Sequence, residues 1–166
     1  MDRKFLIGIG IATLLILVGG IWLVSLQDKP LMGEEIPVQN TTHIKQGEPH
    51  PLYNSNPPTS GWMYDGVAGA GIHDQEVSDE LLVHSMEHGA AVVWYKQDLP
   101  ADQVDKLKNI FTGASGKKIM LPRTNLDAPV ALTSWSRLLK LQSVDEAIIK
   151  RFIETNNDRA PEKAPI

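Results

Sequence analysis

From Phe5 to Leu26 no side chain carries a charge, and Ile, Leu, Val and Gly dominate. About 22 such residues at 1.5 Å each suffice to cross a hydrocarbon core of roughly 30 Å. The pattern predicts a transmembrane signal anchor over 5–26, after a cytoplasmic N-terminus of residues 1–4. Arg3 and Lys4 keep that end inside and send the rest outside, a bias that Lys29 weakens. A cleaved signal peptide is the competing reading, but the run is long and no Ala-x-Ala step follows it. Trp22, near the outer end, suits an interfacial anchor.

Beyond the run, hydrophobic positions come in short groups separated by turn residues. Residues 27–42 are polar and broken by Pro30, Gly33 and Pro37, the pattern of a linker. Pro57 and Pro58 fix extended backbone, and Thr59-Ser60-Gly61 turns the chain into Trp62, Met63 and Tyr64. Ser78 predicts an N-cap, with Asp79 and Glu80 favoured in a first helical turn and Gly89 as the stop. Ala90 to Tyr95 predicts a buried strand. Pro100 predicts a helix to about Phe111, with Val104, Leu107 and Phe111 as its apolar stripe, ended by Gly113 and Gly116. Lys118 to Leu121 predicts a strand stopped by Pro122, and Pro129 to Trp135 another. Ser143-Val-Asp-Glu146 predicts a capping box opening a helix with Val144, Ile148 and Phe152 on one side. The sum is an α+β domain over 43–158: a small mixed sheet covered by helices in two layers, preceded by one N-terminal transmembrane helix. Residues 159–166 have the composition of a flexible tail.

The chain of 166 residues has no cysteine, so its stability comes from packing or from a bound metal rather than disulfides. The formal charge of −4, with no basic stripe interleaved with aromatics, argues against nucleic-acid binding. The outer part is long enough for one domain with a core.

Candidate chemistry centres on His84-Ser-Met-Glu-His88. On a helix, His84 and His88 stand one turn apart on one face, the spacing that holds a transition metal with two nitrogens. Met86 then points about 200° away from His84 and belongs to the core. His43, His50 and Met63 are further candidate ligands, with Glu87 as an orienting carboxylate. Thioether and imidazole together favour copper; imidazole alone suits zinc equally. The same five residues also read as His-x-x-Glu-His, the inverted zincin motif. In that reading Glu87 is the general base of a zinc-dependent hydrolase, and Glu146 or Glu154 is the third ligand. The blander alternative is a non-catalytic interaction module at the membrane, whose histidines are structural.

Tyr53-Asn-Ser-Asn-Pro-Pro-Thr-Ser-Gly61, Leu82-Val-His-Ser-Met-Glu-His-Gly89 with Val92-Val-Trp-Tyr95, Ala131-Leu-Thr-Ser-Trp135 and Arg159-Ala-Pro-Glu162 are familiar in combination. They resemble the prokaryotic family called domain of unknown function 3105, over about His43 to Glu162. The resemblance implies a single membrane anchor followed by one domain outside the cytoplasm. It also implies a site joining the Pro-Pro loop to the short helix, in which Met63 stands where the family has a histidine. That exchange shifts preference toward Cu(I) and away from a catalytic zinc. The expected role is copper handling or supply, with a membrane protein or metalloenzyme as partner.

Overall fold

The computed structural model describes residues 3–25 and 29–166, the side chains of 4–8 and 20–25 excepted. It forms two units, Met1–Pro30 and Leu31–Ile166. The first contains helix α1, Arg3–Ser25. Among the described residues no helix is long and apolar enough to cross a membrane. Part of the run predicted as an anchor over 5–26 lies outside the described residues.

The second unit is a mixed α+β fold around a six-stranded sheet of order β1-β6-β5-β3-β4-β2. Its strands are β1 Glu34–Glu35, β2 Gly71–Ile72, β3 Ala91–Lys96, β4 Lys118–Arg123, β5 Val130–Ser134 and β6 Arg137–Leu141. Its helices are α2 Asp79–Glu87, α3 Ala101–Gly113 and α4 Glu146–Asn156. β3 runs parallel to β4 and antiparallel to β5, so the sheet changes character at its centre. The two-layer expectation is corrected to three layers. Ala91, Val93 and Tyr95 of β3 face α3 and α4 with Leu107, Phe111, Ile149 and Phe152. Val92 and Trp94 face α2 with Leu82, Val83 and Met86. An uninterrupted apolar strand is what a sheet covered on both faces requires. Trp94 also needs a partner for its indole N–H and finds it in Thr133 Oγ1 at 2.7 Å.

Other expectations are revised for local reasons. Pro122 does not stop β4; it pairs opposite Tyr95, while β2 covers the other edge of β4 only at Ile119 and Met120. Proline is tolerated where one edge of a strand is open. β6 escaped the sequence reading because its hairpin with β5 turns on Trp135-Ser136, without Gly or Asn; Ser136 takes φ +57°. The cap of α4 is Asp145, whose side chain accepts from the Ile148 amide at 3.0 Å, not Ser143. That shift turns Ile149, Phe152 and Ile153 toward the sheet. Ser78 precedes α2 with extended backbone and no side-chain cap bond. The acidic residues of its first turn are instead tied down, Asp79 by Arg123 at 2.6 Å and Glu80 by His50 at 3.0 Å.

Both flanks of the predicted domain join its structure. Within the expected linker, Met32 exchanges hydrogen bonds with the Asn156 side chain at 2.9 Å, and Glu34–Glu35 pairs with β6. Within the expected flexible tail, Glu162 N–H donates to Glu87 O at 3.0 Å, and Ala164 O accepts from Lys117 Nζ at 2.8 Å. Gly89 marks the point where the chain leaving α4 meets the end of α2. It has φ +93°, and a Cβ there would lie 2.8 Å from Asp158 Cα, so α2 ends where only glycine fits.

Candidate metal centre

α2 is a short helix of nine residues, and most of it is buried. Its sheet-facing side is Leu82, Val83 and Met86, so the helix is oriented by packing and not by its own propensity. Met86 is fully buried among them, as helical spacing predicts. That orientation turns His84 and Glu87 toward His43 in the N-terminal part of the domain. Both are buried, at 7% exposure each.

His43 comes to the same place from the other side. It sits on an isolated parallel bridge with Met63, reinforced by Ile44 N–H to Met63 O at 2.8 Å and Met63 N–H to Thr42 O at 3.2 Å. The Pro-Pro loop presents Met63 at this position through its own anchors. Gln39 N–H reaches Ser60 Oγ at 3.0 Å, Ser136 N–H reaches Thr59 O at 3.1 Å, and Tyr53 O–H reaches Trp62 O at 2.7 Å. The Met63 side chain is wholly buried in the apolar cluster with Leu82, Val83 and Met86. What Met63 visibly does is hold the backbone that carries His43.

His43, His84 and Glu87 each offer a ligand atom within 4.8 Å of the other two. The His43 and His84 rings meet edge to face at 4.9 Å, and the His84 and His88 rings at 4.5 Å. Hydrogen bonds orient two of these imidazoles in the same way. His84 Nδ1 lies 3.1 Å from Gly66 O, and His88 Nδ1 lies 2.9 Å from Pro165 O. A carbonyl oxygen only accepts, so each Nδ1 carries the proton, and a neutral ring presents Nε2 as its lone pair. Metal-binding histidines are typically fixed by such a bond.

Glu87 Oε2 is buried without a hydrogen-bond partner among the described residues. Burial, followed by the nearby Glu162 carboxylate, raises the Glu87 pKa above its usual value; His84, His43 and His88 pull the other way. A buried carboxylate oxygen with nothing to accept from is costly. A cation at this point would satisfy it. His43 is exposed, so the group opens to solvent on that side. The exposed His43 side chain is the ligand with room to adjust around an ion.

The other sequence candidates fall elsewhere. His50 does not join the group: its Nε2 contacts Glu80 Oε1 at 3.0 Å, and its ring stacks on Trp62 at 5.6 Å. Glu146 and Glu154 lie on α4, which packs on the opposite face of the sheet from α2. Sequence reading missed Glu162, whose Oε2 lies 3.3 Å from His88 Nε2. Its only signal was its place in the Arg159-Ala-Pro-Glu162 block, which composition alone made a tail.

A family model described as "Protein of unknown function (DUF3105)" matches residues 43–165. No curated protein and no solved structure matches the chain.

Proposed function

Because the chain belongs to the DUF3105 family, whose description names no activity, we propose a function from the site itself: binding of a divalent transition-metal ion by His43, His84 and Glu87. The observation that carries the proposal is the Glu87 carboxylate, buried beside two imidazoles with one oxygen left without a partner. Two imidazoles and a carboxylate are borderline donors and suit Zn(II) or Cu(II). Copper handling, with the metal as cargo passed to a membrane protein or metalloenzyme, rests on the sequence reading of Met63 as a ligand. Cu(I) would need the Met63 thioether to turn out of its apolar cluster. Attachment to the cell membrane through residues 5–26, with the domain outside, belongs to the same proposal and rests on the sequence pattern.

The hydrolase alternative would free Glu87 from the metal to act as base and would need a third ligand. Glu146 and Glu154, the ligands the sequence offers for that role, sit across the sheet from α2 and are not at the site.

Equilibrium dialysis of the metal-stripped full chain against micromolar Zn(II), Cu(II) and, under reducing conditions, Cu(I) tests the proposal. One equivalent of Zn(II) or Cu(II) is expected to be retained, and none by His84→Ala. Retention of Cu(I) alone, lost in Met63→Ala, would replace the nitrogen and oxygen site with a thioether one. No retention of any metal would end the proposal.

A further inference from the structure

We propose that the C-terminal segment closes this metal centre, with His88 and Glu162 joining His43, His84 and Glu87 as ligands of the same ion. The inference rests on the metal reading above and adds to it Glu162, supplied from 161–166, and His88, which that segment orients.

The geometry begins at His88. Its Nδ1–H donates to Pro165 O at 2.9 Å, which turns Nε2 away from the segment's backbone. Facing that Nε2 at 3.3 Å is Glu162 Oε2. A ring lone pair and a carboxylate oxygen repel each other unless a cation lies between them, and the candidates are a proton or a metal ion. Adjacent ligands bonded to one ion at about 2.0–2.2 Å stand roughly 3.0–3.7 Å apart. The observed spacing fits that, and it is long for a charge-assisted hydrogen bond of about 2.7–2.9 Å. The His88 ring already abuts His84 at 4.5 Å.

Charge points the same way. Glu87 and Glu162 bring two like charges to one cluster of imidazoles, where they repel each other. Two carboxylates and three neutral imidazoles around a divalent ion make a neutral unit, which removes the repulsion and permits burial.

The segment is also built to stay. Glu162 N–H donates to Glu87 O at 3.0 Å, so the backbone of one candidate ligand is bonded to that of another. Lys117 Nζ donates to His88 O at 2.9 Å and to Ala164 O at 2.8 Å, joining the end of α2 to the segment. Ala160 and Ile166 pack on the apolar cluster beneath α2. A segment tethered on both sides of Glu162 delivers that carboxylate at little entropic cost when an ion arrives.

The test is chelator competition with Zn(II) on the full chain, comparing wild type, E162Q, His88→Ala and His84→Ala, together with X-ray absorption at the zinc edge. The Glu162 side chain is 55% exposed, so E162Q leaves the core intact. The expected result is three imidazoles on zinc in wild type and two in His88→Ala. E162Q is expected to weaken binding about 10–100-fold. If zinc binds through His84 but shows two imidazoles, or if E162Q binds as tightly as wild type, the His88–Glu162 contact is a proton-sharing ion pair and this inference fails alone. If wild type binds neither zinc nor, in the same competition, Cu(II), the underlying metal reading fails with it.

Discussion

Glu87→Gln is expected to make the metal-free protein more stable and the metal-bound protein less so. The carboxylate is 7% exposed, one of its oxygens has no partner, and Glu162 stands near enough to repel it. Replacing it with a neutral amide of the same size removes an uncompensated charge, a gain on the order of 1 kcal/mol without metal. The same change deletes a ligand, so metal affinity is expected to fall at least about 100-fold, which erases about 2.7 kcal/mol of metal-dependent stability. The pH dependence follows in sign. Because the folded state raises the Glu87 pKa, its protonated form favours folding below the ordinary carboxylate range. That contribution disappears as pH rises through the raised value, and the Gln variant lacks this slope. Urea unfolding at several pH values, with and without chelator, measures all three effects. A Gln variant that loses stability in the metal-free form would assign Glu87 a structural role.

The second large effect is expected at Phe152. It is fully buried on α4, against β3 strand residues and Ile149 and Ile153 of its own helix. Its ring also reaches the N-terminal flank, where a Cβ on Gly33 would meet it at 3.3 Å. Phe152→Ala removes a ring that a close-packed sheet and helix cannot collapse to fill, at a cost of about 3–5 kcal/mol. That is a large share of the stability of an ordinary domain, about 5–15 kcal/mol. The denaturant midpoint is expected to fall in proportion with little change in slope. Asn157, at the C-terminal cap of α4, donates from its side chain to Gly89 O at 3.2 Å, so the docking of α4 supports the end of α2. A change below about 1 kcal/mol would mean that α4 is not held by this face.

The elements with strong periodicity or punctuation were legible. Ala90 to Tyr95 reads as a buried strand because six apolar residues in a row have no polar face to expose. α2 is legible from its acidic start and Gly89. β6 was not, because its turn uses Ser136 in a left-handed conformation without the usual residue. β1 and β2 are two-residue edge pairings that exist only because their neighbours do, and no local pattern marks them. The candidate site divides the same way. His84, Glu87 and His88 share one helix, so spacing alone relates them. His43 and Glu162 arrive from opposite ends of the domain, through a bridge to Met63 and a bond to the Glu87 carbonyl. Such meetings are tertiary, and sequence offers only that these residue types bind metals. His50 shows the converse: its residue type fits, but Trp62 and Glu80 claim it for a different surface.

The central claim is that His43, His84 and Glu87 bind a transition metal in the folded state. Thermal unfolding of the metal-stripped full chain, titrated with Zn(II) and Cu(II), tests it most directly, because a ligand that binds only the folded form raises the melting temperature in step with its affinity. The account predicts a rise that grows with metal concentration, equivalent to about 4 kcal/mol at a thousandfold excess over Kd, and absent in His84→Ala. A melting temperature unmoved by either metal would contradict it, leaving the cluster as a structural junction between α2 and the segments that meet it.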